Sequence, residues 1–227
     1  MQNIVITGAN RGIGWELTRQ YVARGDHVVA ACREVSRDLH TLAQQHPGQV
    51  RIHSGLDVTN AAAIDAFRGT LVPHSVHTLI NNAGILRSTS LRPLDFEALR
   101  QQYEINALGP LRLTAELLDA FVPAGAKVGL VSSRMGSIAD NSSGGTYGYR
   151  MSKAALNAAG KSLAHDLKGR GVAVAILHPG YVRTDMTGGR GDVTAAQAAQ
   201  GLIARLDALS LENTGRFWHA SGEELPW

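Results

Sequence analysis

Short apolar runs rich in β-branched residues alternate along the chain with longer segments whose apolar positions recur at helical spacing. Asn3–Thr7 (NIVIT), His27–Ala31 (HVVAA), Val50–His53 and residues 76–81 (VHTLIN), 127–131 (KVGLV) and 172–177 (VAVAIL) read as strands. Arg216–His219 reads as a short last one. Residues 12–24, 38–45, 60–71, 95–121, 146–168 and 194–208 read as helices. The punctuation agrees. Gly25 stops the first helix, Pro47 and Gly48 end the second, Asn60 caps the third and Thr194 the last. Gly109 and Pro110 predict a break in the 95–121 stretch. Residues 87–93, 140–145 and 187–192 read as loops, the last made mobile by its glycines.

The strands are apolar on both faces, and helix-length crossovers join them. That combination predicts a parallel sheet with helices on both sides. The expected fold is therefore α/β: a doubly wound parallel sheet of the Rossmann type, seven strands in one domain spanning residues 1–227. No linker, repeat or low-complexity segment divides it. Ligands of such folds sit at the carboxyl ends of the strands.

The first strand runs into Thr7-Gly8-Ala9-Asn10-Arg11-Gly12-Ile13-Gly14. Gly8 permits the turn off the strand, Gly12 lets the backbone approach a pyrophosphate, and Gly14 lets the following helix pack on the sheet. The helix N-terminus offers amides and a positive dipole end to the anion. A plain strand–turn–helix would need fewer glycines, so the turn reads as a dinucleotide site, with Asn10, Arg11 and Ile13 among its contacts. The second strand ends Ala30-Ala31-Cys32-Arg33, where a carboxylate would bind a ribose 2′-hydroxyl and an arginine a 2′-phosphate. Arg33, with Arg11 inside the turn, points to NADP(H) over NAD(H). Either arginine facing plain solvent is the blander alternative.

Composition narrows the rest. The chain has 227 residues, 44% hydrophobic and 18% charged, the profile of one larger globular domain. The net charge is only +3 and no basic run stands out, which leaves nucleic-acid binding unsupported. No apolar run reaches the length of about 18 residues that a membrane span needs, and no signal-peptide pattern opens the chain. The single cysteine, Cys32, has no intrachain partner, so a reducing, cytoplasmic setting is expected. The nine histidines show no close metal-ligand spacing, and no metal site is expected.

One short stretch carries candidate chemistry: YGYRMSK, Tyr147 to Lys153. On a helix, Tyr149 and Lys153 share a face, whereas Tyr147 points elsewhere. An ammonium beside a phenol favours the phenolate and lowers its pKa from about 10. A tyrosine so tuned serves as a general acid or base. By spacing alone, an ordinary surface pair remains the alternative.

Taken together, TGANRGIG (Thr7 to Gly14), NNAG (Asn81 to Gly84), VSSRMGS (Val131 to Ser137), YRMSK (Tyr149 to Lys153), Asn106 in QYEIN and HPGYVRTDM (His178 to Met186) resemble the short-chain dehydrogenase/reductase family, over nearly the whole chain. The YGYR pair and the spacing between serine and tyrosine resemble its C-factor-like carbonyl reductases. The resemblance implies an NADPH-dependent reductase of aldehydes or ketones, running in either direction. Tyr149 would exchange a proton with the substrate oxygen. Lys153 would lower the tyrosine pKa and hold the nicotinamide ribose. Ser133 would hydrogen-bond the substrate oxygen, with Ser132 pointing to the other side. Asn106 would interrupt its helix and anchor a relay water, or act merely as a packing amide. Asp57 and Val58 would meet the adenine, while Asn82, Ala83 and Gly84 pass the cofactor. Thr184 would bind the carboxamide, with Pro179, Gly180 and Val182 shaping the nicotinamide wall. Arg134 and Tyr181, beside Met135 and Arg87, would meet the small carbonyl or alcohol substrate. Tyr147 either lines the entrance or packs. Family members are commonly dimers or tetramers, so a homo-oligomer is implied. The resemblance also keeps a rival in view: an NADP(H)-binding signalling or sensor protein with little turnover.

Overall fold

The computed structural model describes residues 1–227. Strand β1 (Asn3–Thr7) pairs in parallel with β2 (His27–Ala31) on one side and β4 (Thr78–Asn81) on the other. Beyond β2 lies β3 (Val50–His53). Beyond β4 lie β5 (Ala126–Val131), β6 (Val172–His178) and β9 (Arg216–His219), all parallel. The order β3-β2-β1-β4-β5-β6-β9 reverses its winding between β1 and β4, which opens a crevice at the carboxyl ends of those strands.

Alternate strand positions feed the two faces, as the pleat requires. Ile4 and Ile6 pack into one core with Leu17 and Tyr21 of α1 (Gly12–Ala23), Leu39 of α2 (Arg37–Gln45) and Leu202 of α7 (Ala195–Asp207). Val5 packs into the other, with Phe67 of α3 (Ala61–Arg68), Leu113 of α5 (Gly109–Glu116) and Leu156 of α6 (Tyr147–Lys168). The expected single α/β domain with helices on both faces is thus present. No helix is long and apolar enough to cross a membrane.

Some boundaries differ from the sequence expectation. The third helix stops at Arg68 rather than near residue 71, where Gly69 follows and Thr70 donates its hydroxyl to the Phe67 carbonyl. The 95–121 stretch does not break at Gly109-Pro110. It runs as α4 (Phe96–Tyr103), a widened π-helical turn over Glu104–Leu108, and then α5. Pro110 sits in the first turn of α5, where a missing N–H costs little. The region after β6 also holds an unforeseen two-stranded pair, β7 (Val182–Arg183) and β8 (Val193–Thr194).

Candidate active site

At the carboxyl ends of β1, β2, β4, β5 and β6 lies a cleft of about 600 Å³. One end is built by the glycine turn. Gly8 and Gly12 adopt φ of +64° and +54°. Gly14 admits no side chain, because a Cβ there would stand 2.1 Å from the Gly8 carbonyl oxygen. The end of β4 is pinned to this turn. Asn82 Nδ2 donates to the Thr7 carbonyl at 2.9 Å, and the Asn82 and Ala83 amides both donate to Thr7 Oγ1 at 3.0 Å. The pattern of glycines drew attention away from Thr7, whose hydroxyl is the hub of the junction.

Most of the expected cofactor residues line this cleft. Gly8, Asn10, Arg11, Gly12, Ile13, Arg33, Asp57, Val58, Asn82, Ala83, Gly84, Pro179 and Thr184 all do, with Tyr149 and Lys153 at the far end. Gly14, Gly180 and Val182 do not line it; Val182 is buried. Asp57 is fixed by hydrogen bonds from the Thr59 amide and hydroxyl, which hold its carboxyl below the usual carboxylate range. Arg33 is exposed and faces the cleft, whereas Arg11 reaches Asp185 at 3.8 Å. Ile85, Arg183, Asp185 and Met186, to which the sequence reading gave no role, also line it.

The catalytic candidates converge as expected, but their electrostatics do not. Lys153 Nζ lies 5.7 Å from the Tyr149 ring centroid and donates to the Val131 carbonyl at 2.8 Å. Burial pushes the Tyr149 hydroxyl up to about 12, opposed by its hydrogen bond with Ser133. The expected lowering by lysine is therefore absent, because the same burial pushes Lys153 down to about 7. Two groups that share one desolvated site both move toward neutrality.

Ser133 and Ser132 separate as the strand pleat requires. Ser132 Oγ turns inward to Asn157 Oδ1 at 2.5 Å. Ser133 Oγ accepts from the Met135 amide at 3.2 Å and caps the short turn Arg134–Gly136. Asn106 is fully buried in the π-helical turn. Its Oδ1 accepts from the Ile85 amide, and its Nδ2 donates to the Ile85 carbonyl, both at 2.8 Å. A Cβ on Gly84 would stand 3.1 Å from Asn106 Oδ1 and 3.7 Å from Lys153 Nζ, which places all three side by side. One turn earlier, buried Gln102 takes the Arg87 amide at 2.9 Å. Thr89 accepts from the Thr146 and Gly148 amides at the start of α6. Thr89 carried no motif signal, and Gln102 only opens the QYEIN stretch.

The substrate candidates are placed less directly. Arg134 is held between Asp140 and Glu223 and does not line the cleft. Tyr181 and Tyr147 are both partly exposed and do not line it. His178, at the end of β6, is pushed down to about 3, above all by burial and then by His219 beside it, which suits structure rather than proton transfer. No cluster of metal-ligating side chains is present.

Comparison with known proteins fits this geometry. A model of the short chain dehydrogenases matches residues 2–195. The 1-hydroxy-2-glutathionyl-2-methyl-3-butene dehydrogenase of Rhodococcus sp. (strain AD45) is 40% identical over 233 residues, covering 100% of both chains. The C-signal of Myxococcus xanthus is 42% identical over 164 residues, 71% of this chain and 99% of its own. The NADPH-bound carbonyl reductase from chicken fatty liver has a TM-score of 0.92 at 30% identity, covering 100% of this chain and 99% of its own. With a glycine turn, a serine, a tyrosine and a lysine set around one cleft, the chain belongs to the short-chain dehydrogenase family of oxidoreductases, on the branch shared by C-signal and the carbonyl reductases.

Proposed function

We propose that the protein is an NADP(H)-dependent carbonyl reductase, working in reverse as an alcohol dehydrogenase. The observation that carries this reading is the meeting of Tyr149 and Lys153 at the far end of the cleft that the glycine turn opens, with Ser133 beside Tyr149. The cleft fits a dinucleotide: Gly14 leaves the backbone bare where a Cβ would collide, and Arg33 presents an exposed guanidinium where a 2′-phosphate would lie. The carbonyl reductase from chicken fatty liver is NADPH-bound, and the Rhodococcus relative is a dehydrogenase by name.

Bound NADPH would supply the hydride that goes to the carbonyl carbon. The chain would supply the proton. Held up to about 12, Tyr149 is a phenol throughout the neutral range and is poised to donate to the carbonyl oxygen. Ser133, hydrogen-bonded to Tyr149, would share the substrate oxygen and stabilise its developing charge. A charged Lys153 beside the phenol would favour the phenolate left behind. The Asn106 side chain is committed to Ile85, so a relay water there would meet the Asn106 main-chain carbonyl. That carbonyl lacks its ordinary partner four residues on, because Pro110 has no N–H.

Cys32, buried and unpaired, suits the cytoplasm. Phe96 and Tyr103, exposed seven residues apart on α4, and Met151 on α6 suit a homo-oligomer through those helices.

The test is the loss of NADPH absorbance with a panel of aldehydes, ketones, diketones and quinones. Tyr149→Phe should lose about 100-fold or more in kcat with NADPH affinity retained. Wild-type turnover of no carbonyl, with tight NADPH binding, would put a sensor of the C-signal kind in its place.

A further inference from the structure

Val131, the last residue of β5, and the two residues after it each hold one residue of α6. The Val131 carbonyl accepts from Lys153 Nζ at 2.8 Å. Ser132 Oγ donates to Asn157 Oδ1 at 2.5 Å. Ser133 is hydrogen-bonded to the Tyr149 hydroxyl. Tyr149, Lys153 and Asn157 are spaced four apart on the helix, so they share one face. Tyr149 and Lys153 line the cleft. Asn157 does not line it and is only 4% exposed. Its tie to Ser132 is the one of the three that the proposed chemistry leaves unused.

Packing alone brings α6 against the sheet. A Cβ on Gly160 would stand 2.6 Å from Ile176 Cγ1 and 2.8 Å from Leu130 Cδ1. One on Gly136 would stand 2.7 Å from the Lys153 carbonyl carbon. Such contacts fix how close the helix lies, but they have no preferred direction. Hydrogen bonds do, because they weaken steeply off axis. Rotation of the chain at residues 131–133 is therefore set by the polar ties. Two of these involve groups that must meet substrate, cofactor or a moving proton during turnover. The Ser132–Asn157 bond is free of that demand. Nor is Asn157 kept for its own saturation. Its Nδ2 is buried with no hydrogen-bond partner, a cost that an apolar side chain of similar size would avoid. What the position gains from an amide is the Oδ1 acceptor.

We propose that Asn157 is a positioning residue for the reductase reaction: through Ser132 it fixes the rotation of residues 131–133, so that Ser133 faces the Tyr149 hydroxyl and the Val131 carbonyl faces Lys153. This rests on the reductase reading above. Asn157 itself stays behind the reacting groups, and its effect passes through Ser132. The Ser132 amide, which donates to the Leu177 carbonyl at 2.7 Å, reports on the same stretch of chain.

Activity and stability should part company. Replacing both partners of a buried hydrogen bond by apolar groups is close to neutral, so Ser132→Ala/Asn157→Leu should keep a thermal midpoint at or above wild type. It should nevertheless lose about 10-fold in kcat, since a misplacement of about 1 Å can cost about 100-fold, with KM and NADPH affinity within about twofold. Asn157→Leu alone should lose as much, and the double variant no more, because both remove one contact. Asn157→Asp keeps an acceptor at the same atom and should recover part of the kcat. Hydrogen exchange at the residue 132 amide should quicken in Asn157→Leu. Wild-type kcat in the double variant would overturn the proposal. So would a kcat loss confined to Ser132→Ala with Asn157→Leu like wild type, which would mean that Ser132 acts in the cleft directly. If the wild type reduces no carbonyl, the reductase reading fails, while unchanged exchange at residue 132 in Asn157→Leu would still sink the tie on its own.

Discussion

Lys153→Met should make the protein more stable at neutral pH while destroying its site. The lysine is 5% exposed, and burial lowers its ammonium from an ordinary 10.5 to about 7. Each unit corresponds to about 1.4 kcal/mol. Below pH 7 the folded chain therefore carries a penalty of order 5 kcal/mol for holding a charge that the unfolded chain keeps in water. Between pH 7 and 10.5 the unfolded chain binds the proton and the folded chain does not, so wild-type stability rises with pH through that window. Methionine removes the penalty but leaves the Val131 carbonyl without its 2.8 Å donor, at about 1–3 kcal/mol.

The balance at pH 7 is a gain of about 2 kcal/mol, or a thermal midpoint raised by about 4–8 °C in a chain of this size. Near pH 10 the sign should reverse, because wild type has by then shed its penalty and only the lost hydrogen bond remains. Urea unfolding of both proteins across this range reads the crossing directly. A Lys153→Met protein less stable at pH 7, or a difference that does not change with pH, would refute the view that the lysine is held against a desolvation cost.

Two other substitutions separate roles that the geometry leaves adjacent. Arg33→Ala should weaken NADPH about 10- to 100-fold, the worth of a charged hydrogen bond to phosphate, and leave NADH nearly unchanged; equal loss for both cofactors in a fluorescence titration would transfer the discrimination to Arg11. Asn106→Ala leaves the Ile85 N–H and C=O without their 2.8 Å partners, at about 1–3 kcal/mol each. It should lower the thermal midpoint by about 4–24 °C, with faster exchange at the Ile85 amide; an unaltered midpoint with lost turnover would make the residue chemical rather than architectural.

The sheet was legible in the sequence because a strand buried on both faces must be apolar along its middle, as IVI is in β1, VGLV in β5 and VAVAIL in β6. The glycine turn was legible because steric exclusion is local: Gly14 meets Gly8, six residues away. What was hidden depends on partners distant in the chain. The cap of α6 is Thr89, 59 residues before the Gly148 amide that it accepts. Arg134 read as a substrate contact because Glu223, 89 residues on, could not be seen to claim it. Tyr149 read as acidified because helix spacing shows that a lysine is near and says nothing of how much water remains. Desolvation is a property of the packed interior, and here it outweighs the pair.

Three places where the chain departs from locally favoured structure surround one point. Lys153 is a buried lysine whose ammonium is disfavoured by that burial. The turn at Glu104–Leu108 is π-helical, a form found mostly at functional sites. Thr146 opens α6 at φ +49°, a left-handed conformation that costs a non-glycine residue of order 1 kcal/mol or more, and makes no side-chain cap. Each departure is held by a dedicated partner: the Val131 carbonyl for Lys153, Ile85 for Asn106 and Thr89 for the start of α6. A fold gains nothing in stability by gathering such costs at the end of one sheet, and the strained helix start at Thr146 lies one residue before Tyr147 and three before Tyr149. Their concentration around Tyr149 supports the proposed catalytic role on grounds independent of any sequence motif.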